Sequence, residues 1–289
     1  MHLSTTINFF ILTNDGNIDT YKEHIRRYHS LGYTRLDAIF AGADGKDSPI
    51  MADDYLYFAQ EMRKEADRLG IRFAQGHLPY YENFVKNEPD PRRDESVRRT
   101  IECFGIMGVE WAVSHPGAVM RVSDAVAKSK EACIRYFTPL IESSLKHGVG
   151  FCIENLFDYG GGRRYCAIAE ELIDLVDSFG DKNVGVCWDF GHGNLVYDDM
   201  TEPLKMIGNR LKMTHVHDNN GHGDQHLAPF FGNINWHEMV HVLREIGYDK
   251  CFSFEVVNKS FKHAIELGMS EWAHVRAVGE RLLQMEGSH

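Results

Sequence analysis

Asp189 and His192 stand three residues apart at the end of an apolar, β-branched run, Val184-Gly-Val-Cys-Trp188. Such a run predicts a short strand buried on both faces. A carboxylate at the tip of a buried strand, with an imidazole just beyond it, is costly unless both groups have partners. Taken alone, the pair also reads as a capping Asp at a strand-to-helix turn beside an unrelated His. The pattern repeats, however. Apolar runs also lead into His77, His115, Glu154, His215 and Glu255. Two Glu, one Asp and one His that converge on a point make a donor set for a hard-to-borderline divalent cation. Carboxylate-rich sets suit Mn²⁺, Mg²⁺ or Co²⁺, and added imidazoles shift the preference toward Zn²⁺. Without a cation, three buried carboxylates would repel one another and be driven to take up protons. Glu154, Asp189, His215 and Glu255 are therefore the expected ligands of a divalent metal ion, with Mn²⁺, Mg²⁺, Co²⁺ and Zn²⁺ all open on donor chemistry alone.

Residues this far apart in the chain meet only if the fold gathers strand ends. Strand-forming runs are expected at Leu3–Phe10, Arg35–Phe40, Ile71–Ala74, Val109–Val113, Val149–Ile153, Val184–Trp188, Leu211–Thr214 and Cys251–Phe254. Helical spacing fills the intervals: Asp19–Leu31, Asp53–Leu69, Arg93–Met107, Ser123–His147 with an interruption at Pro139, Ala167–Phe179, Met200–Gly208, Trp236–Ile246 and Phe261–Met285. Asn14-Asp15-Gly16 reads as a turn. Alternating units of this kind predict a (β/α)₈ barrel, in which the C-terminal ends of all strands open on one face. An open doubly wound sheet is the competing arrangement, but no GxGxxG or GxxxxGK[ST] loop follows any strand. The chain is 289 residues long, without a linker-like or low-complexity tract, and a single α/β TIM barrel over 1–289 is the expected organisation.

Composition narrows the function classes. At 43% hydrophobic and 25% charged, the chain has the balance of a soluble globular protein. A net charge of −11 without a Lys/Arg block argues against nucleic acid as a partner. No apolar run approaches the roughly 18 residues of a membrane span, so no membrane partner is expected. Met1-His2-Leu3-Ser4 lacks the basic opening of a signal peptide. The six Cys form no CxxC pair, and several sit inside apolar runs. They are read as reduced core residues of a cytoplasmic protein.

Cys152-Ile-Glu-Asn155, Trp188-Asp-Phe-Gly-His192, His215-Val-His-Asp-Asn219, Asp224-Gln-His-Leu227 and Phe254-Glu255 together resemble the xylose-isomerase-like TIM-barrel superfamily, within its sugar phosphate isomerase/epimerase group. The resemblance covers nearly the whole chain. It implies one Mn²⁺-like ion held by the residues matching Glu154, Asp189, His215 and Glu255, with the two Glu also serving as the acid/base pair. The implied activity is isomerisation or epimerisation of a keto-sugar or related polyol. One Glu removes the proton beside a carbonyl polarised by the metal, and the other returns a proton to the resulting enediolate.

His77, His115, His192, Asp224 and His226 are expected around the substrate. His217 and Asp218 are expected at the barrel exterior or behind the site, and Arg163, Arg164 and His222 in solvent. Two departures stand out. The Arg with which the epimerases grip substrate shortly after the His ligand is replaced by Asn219-Asn-Gly-His-Gly223. The loop His226-Leu-Ala-Pro-Phe-Phe-Gly232 carries Phe230 and Phe231, suited to a lid, an oligomer or partner-subunit contact, or a wall for an aglycone. Three other readings compete. The first is a lyase or dehydratase acting on a 3-keto sugar or inosose, including C-glycoside deglycosylation. The second is a type IV apurinic endonuclease, for whose three-Zn²⁺ site all nine ligand positions have a plausible residue. The third is a non-catalytic sugar binder.

Overall fold

Eight parallel strands follow one another around the sheet in the order β7-β6-β5-β4-β3-β2-β1-β8. They are β1 (His2–Asn8), β2 (Arg35–Ile39), β3 (Arg72–His77), β4 (Trp111–Ser114), β5 (Gly150–Glu154), β6 (Val184–Asp189), β7 (Leu211–His215) and β8 (Cys251–Phe254). The computed structural model describes residues 1–12, 17–86, 88, 90–159, 162–257 and 264–285. The turn expected at Asn14–Gly16 and the start of the helix expected from Phe261 lie outside them. The two ends of the sheet, β7 and β8, meet through a parallel bridge between Val216 and Phe254. Val216 N donates to Ser253 O at 2.8 Å and Glu255 N to Val216 O at 3.0 Å, which closes the barrel.

Helices occupy every interval between strands and lay apolar faces on the outside of the sheet. In Ile18–Ser30 the buried residues Tyr21, His24, Ile25 and Tyr28 recur at the helical spacing that predicted the element. Pro91–Met107 begins with a proline at its first turn, and Asp90 caps it by accepting from Arg93 N. Ala125–Lys146 continues through Pro139 instead of breaking there, so the expected interruption is absent. The expected first strand is also shorter than its apolar run. Phe9 and Phe10 leave β1 to form a short helix, Phe9–Leu12, where their rings pack edge-on against Phe40. Aromatic packing, more than β propensity, decides the conformation there. All six cysteines are buried free thiols, and burial pushes Cys103, Cys133 and Cys251 up to about 12.

One buried carboxylate ties two outer helices together. Glu65, on Tyr55–Leu69, is flanked by Arg68 and by Arg26 of Ile18–Ser30, with Arg26 Nε at 2.8 Å. Hydrogen bonding from Arg68, opposed by burial and reinforced by Arg26, holds the Glu65 carboxyl down at about 2. A folded-state value below the unfolded one means that the stabilisation is complete above the unfolded pKa and is lost as pH falls through the folded value. Glu65→Gln is expected to cost about 1–3 kcal/mol at neutral pH. Urea unfolding should show the gap between variant and wild type shrinking from pH 5 toward pH 2.

Candidate active site

Side chains alternate across a strand, so residues two apart share a face. His77, Glu154, Asp189 and His215 are the last residues of β3, β5, β6 and β7, and His115 and Glu255 come one residue after β4 and β8. Two positions earlier stand Gln75, Val113, Cys152, Cys187, Met213 and Ser253. Of these, Val113, Cys152, Cys187 and Met213 form a small apolar cluster of their own, separate from the strand–helix core. The barrel interior is therefore a floor of packed side chains with the charged residues in a layer above it, at the C-terminal mouth.

Within that layer His215 Nδ1 lies 2.9 Å from Glu255 Oε2, 3.3 Å from Glu154 Oε2 and 4.0 Å from Asp189 Oδ2. One ligand atom from each of these four residues lies within 4.8 Å of the others. Donors sharing one ion at about 2.0–2.2 Å stand roughly 3–4.4 Å apart, so the spacing fits a single divalent cation. The hydrogen bonding fits as well. Among the described residues, Glu154 Oε2 and both ring nitrogens of His215 are buried without a partner in hydrogen-bond geometry, although oppositely charged groups stand within ion-pair distance of each.

Asp189 combines both readings of its position. Its Oδ1 caps the short helix Phe190–Asn194 by accepting from His192 N at 2.6 Å, and its Oδ2 meets His217 Nε2 at 2.9 Å. Asn155 clamps the ends of β5 and β6 together, accepting from Asp189 N at 2.6 Å and donating to Asp189 O at 2.9 Å.

Two imidazole-rich groups flank the four residues. On one side His77 Nε2 and His115 Nε2 are 3.2 Å apart, at 3.4 and 3.6 Å from Glu154 Oε2. Glu82 approaches His115 Nδ1 to 3.1 Å and also pairs with Arg164. On the other side His226 Nε2 lies 3.1 Å from Asp224 Oδ2, and the His226 ring stacks on His217 with centroids 3.9 Å apart. His192 joins this side to the first, with Nδ1 3.4 Å from Glu154 Oε1 and Nε2 3.7 Å from Asp224 Oδ2.

The structure thus brings all nine expected residues into one mouth and adds others. His217, expected outside or behind the site, is fully buried against Asp189. Gly191 makes room for it, because a Cβ there would fall 1.8 Å from His217 Cε1. The sequence signal was its alternation with His215, which puts both rings on one face. Arg164 is half-hidden and paired with Glu82, not solvated, whereas Arg163 pairs with Glu171 on the surface and His222 is exposed. Asp37, Glu82 and Tyr80, whose ring stands 4.7 Å from that of His77 and 5.1 Å from that of His115, have no place in the sequence reading of the site. Only Asp37 left a trace, as a charged residue inside the apolar run Leu36-Asp-Ala-Ile39.

Asp218 does not face outward either. Fully buried, it accepts from Asn219 N, Phe230 N, Ile234 N and Trp236 Nε1. Its backbone pairs in both directions with Leu227, at 2.8 and 2.9 Å, which presents Asp224 and His226 to the mouth. Gly232 passes so close that a Cβ would fall 2.2 Å from both Asp218 Oδ1 and Asn219 O.

The crowding decides the charges. Burial works to neutralise Glu154, but His215 and His115 hold it well below the usual carboxylate range. His215 likewise keeps Glu255 low against the effect of burial. In return, burial of His192 is outweighed by Asp189 and Asp224, which raise it to about 10, and burial of His226 by Asp224 and Glu255, which raise it to about 9. Protonated imidazoles thus balance the carboxylates, a task that a bound cation performs at least as well.

Known proteins share this architecture. Residues 25–275 match the family model described as xylose isomerase-like TIM barrel. An uncharacterized protein of Methanocaldococcus jannaschii is 30% identical over 195 residues, which is 66% of this chain and 65% of that protein, a little under two thirds of its length. A probable endonuclease 4 of Mesomycoplasma hyopneumoniae is 24% identical over 192 residues, covering 61% of this chain and 65% of that one. The solved D-psicose 3-epimerase of Clostridium cellulolyticum H10, crystallised with D-tagatose, superposes with a TM-score of 0.76 at 16% identity over 99% of this chain and all (100%) of that one.

Because Asp189 is both a cap and a candidate ligand, the two roles need separating. Asn caps a helix about as well as Asp does. Asp189→Asn is therefore expected to leave the melting temperature of the metal-free protein nearly unchanged while weakening Mn²⁺ binding by about tenfold or more, read by titration calorimetry.

Proposed function

The chain belongs to the xylose isomerase-like TIM barrel family, and from that premise we propose that it is a divalent-metal-dependent isomerase or epimerase of a keto-sugar or related polyol. The observation that carries the reading is the placement of Glu154 and Glu255. These two carboxylates, the buried Glu154 at the end of β5 and the partly buried Glu255 just after β8, close on His215 Nδ1 at 3.3 and 2.9 Å. The solved epimerase with D-tagatose, sharing the fold, supports the substrate class.

In this proposal Glu154, Asp189, His215 and Glu255 hold the cation, with Mn²⁺ favoured. When bound, the cation supplies Lewis acidity to a ketone oxygen and so acidifies the neighbouring C–H. The protein's part is proton handling. One Glu, ionised, takes the proton, leaving an enediolate, and the other, which enters the step carrying a proton taken up from water, returns it to the opposite face in epimerisation or to the adjacent carbon in isomerisation. The lowered pKa of these carboxyls, held down by the neighbouring imidazoles, leaves the Glu that takes the proton ionised. His77, His115, His192, Asp224 and His226 then serve as polar contacts for substrate hydroxyls, with the Phe157 ring against His192 shielding that side.

Glu→Gln keeps size and a carbonyl oxygen but cannot accept a proton. Glu154→Gln and Glu255→Gln are each expected to retain metal at least in part and to lose turnover by about 10²–10⁴-fold. In D₂O the variant lacking the base should fail to wash out the substrate's α-proton, while the variant lacking only the returning acid should still exchange it. Full activity in both variants would leave the two Glu as ligands alone.

A second reading has an observation of its own. The groups His77–His115–Glu154 and His217–Asp224–His226 could each hold a further ion, as a phosphodiesterase related to the probable endonuclease 4 would require. The net charge of −11 opposes binding to a phosphate backbone. Elemental analysis of the purified protein is expected to give one divalent ion per chain. Three Zn²⁺ with cleavage of abasic DNA would reverse the choice.

A further inference from the structure

Asp37 is a fully buried carboxylate on β2 that the proposed chemistry leaves without a task. It is registered opposite Gln75 of β3, in the layer just below the mouth. Its Oδ2 lies 3.4 Å from His215 Nε2, accepts from Gln75 Nε2 at 3.0 Å and meets Ser253 Oγ at 3.5 Å. The Gln75 amide also donates to Thr214 O at 3.2 Å, on the residue preceding His215. Three strands thus lock Asp37 beneath one edge of the His215 ring. The opposite edge, Nδ1, faces Glu255, Glu154 and Asp189.

A neutral imidazole carries its proton on one nitrogen and offers a lone pair on the other, and the partner of the first nitrogen decides which. Left to the mouth alone, the His215 proton would sit on Nδ1, pointing at Glu255 2.9 Å away. That would occupy the lone pair a cation needs. We propose that Asp37 is a positioning residue for the cation site: its carboxylate holds the His215 proton on Nε2 and thereby makes Nδ1 the ligand atom. The proposal rests on the metal reading given above. The Nε2–Oδ2 separation is 3.4 Å and not yet in hydrogen-bond alignment; closing it by about 0.3 Å with a turn of the ring toward the carboxylate makes a good hydrogen bond. Both atoms belong to fully buried side chains, so water does not compete for either.

The test is Asp37→Asn in the full chain, with Mn²⁺ affinity measured by calorimetry and the melting temperature measured without metal. Asn can still accept weakly but carries no charge, so affinity is expected to fall about 10- to 100-fold, the range for partners of metal-bound imidazoles. A merely structural role would lower the melting temperature and leave affinity intact. Should the variant not fold, ¹⁵N-histidine NMR of the Zn²⁺-loaded wild type decides instead, with His215 expected to be metal-bound at Nδ1 and protonated at Nε2. Wild-type affinity in Asp37→Asn, or His215 bound through Nε2, overturns the role of Asp37 while leaving the metal reading standing. A wild-type protein that takes up neither ion overturns the metal reading, and the proposal with it.

Discussion

Four carboxylates, those of Glu154, Asp189, Asp224 and Glu255, share one barrel mouth with six imidazoles, and their mutual repulsion is what the upper half of the molecule has to contain. Each has a cationic or hydrogen-bonding counterpart within about 4 Å: His215 for Glu154 and Glu255, His217 and a helix N-terminus for Asp189, His226 for Asp224. Such an assembly is stable only while every member is satisfied, because a buried carboxylate left alone is strongly disfavoured. The same condition makes the mouth receptive to a divalent cation, whose charge answers several carboxylates at once.

Holding these groups at fixed separations is the work of the backbone around them. Asn155 fastens the ends of β5 and β6, so that Glu154 and Asp189 keep their spacing. The Val216–Phe254 bridge closes β7 onto β8 just where His215 and Glu255 emerge, which makes their close contact a consequence of barrel closure. Below them the floor is divided. Val113, Cys152, Cys187 and Met213 pack as an apolar half. Asp37, Gln75 and Ser253 form a hydrogen-bonded half that reaches His215.

The long loop after β7 answers to a different device. Asp218 gathers four N–H donors and so folds the loop back over the mouth. His226 and Phe230 adopt left-handed backbone angles within it, φ of 49° and 75°, an uncommon conformation for side chains of their size. Their cost is offset by the contacts Asp218 and Leu227 make, and the result is that Asp224 and His226 face inward while the Phe230 and Phe231 rings stay 50% and 66% exposed.

The sequence by itself determined the barrel, because eight short apolar runs separated by amphipathic stretches have few other ways to bury both faces of every strand. It also marked Glu154, Asp189, His215 and Glu255 as strand-end residues, since a charged side chain at the end of an apolar run is legible from hydropathy alone. Local errors arose where tertiary contacts outweighed local preference. Phe9 and Phe10 turned helical to join an aromatic cluster, and the helix through Pro139 survived its proline. What only the tertiary structure decided was orientation. His217 and Asp218 are adjacent, yet alternation along an extended backbone sends one ring to Asp189 and the other side chain to the loop amides. Asp37, Glu82 and Arg164 reach the site from distant segments, through contacts that no spacing along the chain encodes. Hydropathy tells which side chains must be buried together. Which edge of an imidazole meets which carboxylate depends on barrel closure and strand register, and these exist only once the chain has folded.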